Sequence, residues 1–180
     1  SLNVQRLEQS GLGLLLAQFE ELKRDLRERG WFDRKRALPR LPRVIGVVTS
    51  RDGAALRDFL RTRSLRWPLY PVRLAHAPVQ GPGASLEIAR AIERLDASGV
   101  DLIVVTRGGG SLEALWAFNE LPVAAAIRAC SVPVVSGVGH EVEHDRAAVD
   151  HAPAGAGRVP GRALERRRGR ALEAREAGAR

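Results

Sequence analysis

Asp101-Leu-Ile-Val-Val-Thr106, followed at once by Arg107-Gly108-Gly109-Gly110-Ser111, is the stretch that decides the fold. Its first half is a short, β-branched, nearly all-apolar run of the kind buried on both faces of a parallel sheet. Its second half is a turn, and helical spacing resumes from about Ser111 to Phe118. The same alternation recurs on either side. Upstream, 43–49 reads as a strand, Ser50-Arg51-Asp52-Gly53 as a turn and 54–63 as a helix. A weaker strand follows over 69–75, then a loop at 81–83. A helix over 85–97 carries Leu86, Ala89, Ile92 and either Leu95 or Ile88 on its buried side. Downstream, 123–130 is a helix and 132–136 a strand that enters Gly137-Val138-Gly139-His140-Glu141. Strands alternating with helices make βαβ units, hence an α/β fold: an open, mostly parallel sheet with flanking helices. In front of it, Leu12, Leu15, Leu16, Phe19, Leu22 and Leu26 recur at helical spacing, so 12–29 is an amphipathic helix that Gly30 ends. A basic linker with Pro39 and Pro42 joins the two. The expected organisation is therefore a leading helix and linker over 1–33, an α/β domain over 34–150, and an Ala/Arg/Gly-rich tail over 151–180, disordered or helical.

Composition narrows the class. The chain has 180 residues, 44% hydrophobic and 28% charged, enough for one domain with a real core. One Cys excludes a disulfide framework and a thiolate zinc site. No apolar run approaches the roughly 20 residues that span a bilayer. The chain starts at Ser1 and contains no Met, which reads as a fragment. The net charge is +8, carried by 27 Arg against 2 Lys. That bias suits phosphate partners read by planar forked contacts, and G/C-rich coding produces it as well. The charge is unevenly placed. Residues 34–66 carry +8, 67–150 carry −4, and 151–180 carry +5. If Arg34, Lys35, Arg36, Arg40, Arg43, Arg51, Arg57, Arg61, Arg63 and Arg66 fold onto one face they attract a polyanion; otherwise they are a solvated surface.

In open parallel sheets the site lies beyond the carboxyl ends of the strands. Three strands end in polar or glycine-rich turns, at Thr49–Gly53, Thr106–Ser111 and Ser136–Glu141, and the fold rule puts all three on one edge. The glycine triplet Gly108-Gly109-Gly110 lets backbone N–H groups converge on an anion at a helix start, with Ser111 as a cap or a phosphate contact. The alternative is a tight turn needing positive φ. It is neither a Walker loop nor the dinucleotide fingerprint. Arg107 beside it favours a phosphate. His140 sits where a general acid or base would, or makes a structural hydrogen bond; His140, His144 and a carboxylate are a rival metal site. Asp58, on the helix after the first strand, points to the shared edge or into solvent. Trp67, Trp116, Phe118 and Cys130 read as core or interface residues.

The ordered blocks Val47-Val48-Thr49-Ser50-x-x-Gly53-Ala54-Ala55-x-x-Asp58, Pro78-Val79-Gln80-Gly81, Arg107-Gly108-Gly109-Gly110-Ser111-Leu112-Glu113-x-Leu115-Trp116-x-Phe118-Asn119 and Pro133-Val134-Val135-Ser136-x-Val138-Gly139-His140-Glu141 resemble the large subunit of bacterial exodeoxyribonuclease VII. The resemblance runs over about 12–141. It implies an exonuclease that hydrolyses single-stranded DNA to oligonucleotides, works in the cytoplasm with several copies of a small helical subunit, and has no strict need of a divalent metal or other cofactor. It implies that residues 1–10 are the tail of a preceding DNA-binding domain. It places catalytic roles on Asp58, Arg107, His140 and Glu143, and substrate contacts on Thr49, Ser50, Gly53, Gly108, Gly109, Gly110 and Ser111.

The chain also departs from the pattern. Glu143 stands where the family has Asp, Ala114 where it usually has Asp, and Glu120-Leu121 where it usually has Asp-Glu. A shift near 1 Å at a reacting group costs about 10²-fold in rate. After about Val142 the family pattern is lost, as a frame shift in a G/C-rich gene or a diverged end would produce. Two further readings stay open: a catalytically impaired single-strand-binding remnant, and a phosphate- or nucleotide-binding domain.

Overall fold

The computed structural model describes residues 2–33, 35–110 and 112–138. Ten elements follow one another: α1 (Leu2–Glu28), β1 (Ile45–Thr49), α2 (Ala54–Arg66), β2 (Val72–His76), α3 (Ala84–Asp96), β3 (Leu102–Arg107), α4 (Leu112–Leu115), a 3-10 turn (Trp116–Asn119), α5 (Leu121–Ala129) and β4 (Val134–Val138). The helix expected from residue 12 starts ten residues earlier, at Leu2. It stops where expected: Gly30 takes φ +66°, its N–H bonds to Arg27 O, and Trp31 N–H bonds to Leu26 O, the paired bonds of a Schellman cap. Pro122 lies in the first turn of α5, where its missing N–H costs nothing.

The four strands are all parallel, in the order β2-β1-β3-β4. Register pairs Val48 with Ala75 and Val105, and Val105 with Ser136. One sheet face carries Val48, Ala75, Ile103, Val105 and Val134 and packs under Ile88, Ala91, Ile92 and Leu95 of α3 and Val123, Ala124 and Ile127 of α5. The other carries Ile45, Val47, Val72 and Val104 and is covered by Leu56 and Phe59 of α2. Helices on opposite faces are what right-handed crossovers require when the chain first steps outward from β1 to β2 and then back across β1 to β3. Gly46 in β1 makes room for this: a Cβ there would sit 3.0 Å from Leu95 Cδ1 and 3.3 Å from Val100 Cγ2.

Phe19 and Leu26 of α1 join the larger core, and Phe19 meets Trp116 edge-to-face at 6.5 Å. Phe118 and Cys130 are buried, as read from sequence. One expectation fails: Leu86 is 51% exposed, because Ile88, Ala91, Ile92 and Leu95 already fill the seam over the sheet. Of the core and interface readings for Trp67, the core one does not hold: it is 49% exposed, just past the end of α2, touching Tyr70 edge-on at 6.2 Å.

Two carboxylates lock the amino-terminal edge of the sheet. Asp101 accepts from the N–H groups of Arg43 and Val44, at 2.7 and 2.9 Å, joining the starts of β1 and β3. The Val44 bond lowers its pKa against a desolvation penalty, with help from Arg43. Asp96 accepts from Ser131 N–H, Ser131 Oγ–H and Val132 N–H, at 2.8 to 3.2 Å, tying the end of α3 to the entry of β4. Burial opposes its ionisation, but those bonds and the charge of Arg36 prevail and its pKa is lowered.

Candidate active site at the switch point

β1 and β3 lie side by side, yet the chain leaves them in opposite directions, toward β2 and toward β4. Such a reversal opens a crevice at the carboxyl ends of the two strands, the usual ligand position in open α/β sheets. The turn after β1 (Ser50–Gly53) and the turn after β3 (Gly108–Gly110) flank it. The loop 77–83, returning from β2 to α3, crosses the same edge, and Ala77 N–H still bonds to Thr49 O at 3.2 Å.

Arg107 is the last residue of β3, not part of the turn. Its side chain is half-buried. Nη2 donates to Gln80 Oε1 at 2.8 Å. Nη1 is shielded from solvent and has no hydrogen-bond partner among the described residues. A guanidinium has only donors, so that buried N–H calls for an acceptor. Gly110 makes the seat possible. A Cβ on it would lie 2.8 Å from Arg107 Nη2, 2.9 Å from Cζ and closer still to Nη1. Gly108 has open space around its would-be Cβ, and neither Gly108 nor Gly110 takes a positive φ. The tight-turn explanation therefore does not apply to these two; Gly110 is small so that the guanidinium can lie against it. Gly108, Gly109 and Gly110 are all exposed, free to offer N–H groups.

The other expected site residues are placed as follows. Thr49 is 1% exposed, inside the end of the sheet, so its main chain serves the loop more directly than its hydroxyl serves a ligand. Ser50 and Gly53 are half-buried in the turn, where Gly53 N–H bonds to Ser50 O at 3.3 Å. Asp58 is exposed on the outer side of α2, opposite the inward-facing Leu56, Phe59 and Arg63. No hydrogen bond or ion pair joins Asp58 to Arg107. Ser111, His140, His144 and Glu143 lie outside the described residues, as does the tail 151–180. Among the described residues no group of three His, Cys, Asp or Glu could hold a metal ion. Nor, among them, is any helix long and apolar enough to cross a membrane.

Among the described residues the basic block does not form one patch. Arg36 lies near Asp96, Arg43 pairs with Asp101 at 3.8 Å, and Arg63 donates to Tyr70 O, all away from the crevice. Arg51, Arg57 and Arg61 are exposed along the turn and first half of α2, and their side chains make no ion pair among the described residues. Those three are the ones free to meet a polyanion near the site.

Sequence reading missed two contributors. Gln80 was quoted only as part of a motif, and His76 not at all, yet His76 Nδ1 accepts from Arg51 N–H at 3.1 Å and holds the first turn against the end of β2. No periodicity or local motif signals either contact; an exposed polar residue just past a strand end, in a loop that must recross the sheet, is the only hint.

Comparison with known proteins agrees with this geometry. The family model described as "Exonuclease VII, large subunit" matches residues 31–154. A protein of Thioalkalivibrio sulfidiphilus named exodeoxyribonuclease 7 large subunit is 51% identical over 143 residues, which is 78% of this chain and 32% of that protein. Proteins of the same name from Nautilia profundicola and Nitrosomonas europaea are each 48% identical, over 148 and 145 residues, covering 33% and 32% of their lengths. The chain thus spans about a third of the length of these relatives. A match over most of the chain, through every strand of the sheet and the loops around Arg107, places it in the exonuclease VII large-subunit family.

Proposed function

We propose that this chain carries the catalytic α/β region of an exodeoxyribonuclease that cuts single-stranded DNA to oligonucleotides, acting in the cytoplasm with copies of a small subunit. The observation that carries the reading is Arg107. It holds a buried N–H, unpartnered among the described residues, at the switch point beside exposed glycine amides, in a chain of this family. In the reaction, water attacks phosphorus and the bond to the leaving sugar oxygen breaks. Arg107 and the N–H groups of Gly108, Gly109 and Gly110, with Ser111, hold the phosphoryl oxygens and neutralise the charge that grows on them. His140 moves the proton, from the attacking water or to the leaving oxygen, and Asp58 or Glu143 orients the partner. Ser50 and Gly53 line the near wall, Thr49 fixes the strand end beneath it, and Arg51, Arg57 and Arg61 guide the strand.

The test is degradation of an end-labelled single strand, with and without chelator, by the chain alone and with an exodeoxyribonuclease VII small subunit. Arg107→Ala is expected to cost about 10²- to 10³-fold, the usual loss for one charge-stabilising donor. His140→Ala is expected to be as damaging. Full activity in either variant rejects the assignment, and strand binding without cleavage by the wild type identifies a binding remnant instead.

A further inference from the structure

Gln80 lies in the loop 77–83, far in sequence from Arg107. Both flanks of the loop are pinned. Ala77 is buried and bonded to Thr49 O, Val79 packs on the core, and Ala84 N–H bonds to Gly81 O at 3.2 Å. Between these anchors, Gln80 is exposed and its Oε1 accepts from Arg107 Nη2 at 2.8 Å. The amide must face this way, because a guanidinium can only donate. Gly110 backs the guanidinium from one side, while Nη1 is kept out of solvent and, among the described residues, unpaired.

We propose that Gln80 is the positioning residue for Arg107, an inference that rests on the function proposed above. Three properties of the contact support it. It immobilises the guanidinium plane through one nitrogen and leaves the other for a phosphoryl oxygen. It uses a neutral acceptor, so the full positive charge stays available to the substrate; a carboxylate at the same distance would cancel much of it. And it comes from the loop after β2, so the orientation of a β3 residue depends on the crossover that brings α3 over β1.

The experiment compares Gln80→Ala, Gln80→Glu, Arg107→Ala and the double variant Gln80→Ala/Arg107→Ala in the strand-degradation assay, with melting temperature as a fold control. Gln80→Ala is expected to lower kcat by about 10- to 100-fold with KM nearly unchanged, since a misplaced guanidinium loses transition-state contact. Gln80→Glu is expected to lower kcat similarly, although it keeps an acceptor. The double variant is expected to be no slower than Arg107→Ala, because Gln80 acts through that side chain. If Arg107→Ala is inactive while Gln80→Ala keeps the wild-type rate, or if the two losses multiply, the positioning role is overturned and the proposed function stands. A second readout does not depend on activity. In 15N-resolved spectra the Arg107 Nη2 group of the wild type is expected to rotate slowly about Cζ–Nη2, and in Gln80→Ala quickly. Fast rotation in the wild type overturns the proposal even if no cleavage is seen, and slow rotation lost in Gln80→Ala supports it there.

Discussion

Replacing Gly110 with Ala tests the Arg107 seat with one methyl group. The added Cβ would lie 2.8 Å from Arg107 Nη2 and 2.9 Å from Cζ. Ordinary contact needs 3.4 Å or more, so the guanidinium must withdraw by up to about 1 Å. The geometry of its 2.8 Å bond to Gln80 is then disturbed. A displacement of that size at a charge-stabilising group costs about 10²-fold in rate. The fold loses little, because Gly110 is exposed without a positive φ, and such a change stays within about 0.5 kcal/mol. Gly108→Ala is the internal control: it adds the same methyl to the same turn, but in open space. The assay is cleavage of a labelled single strand beside thermal melting, for wild type and both variants. The expected result is a slow Gly110→Ala, a much less affected Gly108→Ala, and three similar melting temperatures. Equal rates for the two variants, or a wild-type rate for Gly110→Ala, would refute the idea that this seat sets the rate.

Other substitutions probe the frame and the substrate path. Asp96→Ala removes the acceptor for three donors at a half-exposed site and is expected to cost about 1 kcal/mol in chemical denaturation. Because the folded pKa of Asp96 is lowered below 3.8, the wild type keeps this stability above about pH 4 and loses it as pH falls further; the variant should show a shallower acid limb. The buried Cys130 thiol is pushed up to about 12, first by desolvation and then by Asp96, so it should resist disulfide reagents until the protein unfolds. Unfolded, it ionises near pH 9, so folding should weaken progressively from pH 9 toward 12, and Cys130→Ala should lack that loss. Gly46→Ala should destabilise by about 1–3 kcal/mol, since Leu95 and Val100 are themselves buried and cannot easily give way. Arg57→Ala and Arg61→Ala should each reduce the salt dependence of single-strand affinity by about one unit of slope without changing the melting temperature; an unchanged slope removes α2 from the DNA path.

The parts of the fold that could be read in advance are those written in local chemistry. β1 and β3 are the two central strands, β-branched because helices cover both of their faces, and that pattern survives in one dimension. β2 is an edge strand, with Leu74 exposed, and its pattern is correspondingly faint. The strand order was not legible, because nothing local tells the chain to pass back over β1 before laying down β3. That order creates the switch point, so the site's neighbours were only half visible. Arg107 and Gly110 stand out in the sequence, but the close approach of the Arg107 guanidinium to Gly110, a constraint from a side chain three residues away, is not visible there. Asp58 shows the limit from the other side. Its exposed position follows from Leu56, Phe59 and Arg63 facing inward, a spacing present in the sequence and outweighed there by the family motif.

The locks at Asp96 and Asp101 fasten the edge of the sheet farthest from Arg107. Each works from one carboxylate onto main-chain N–H groups, so each tolerates change in the side chains it spans. The exposed glycine turn lies at the other end of the strands. Changes at the working edge therefore leave these two acidic clasps, at the opposite end of the strands, untouched.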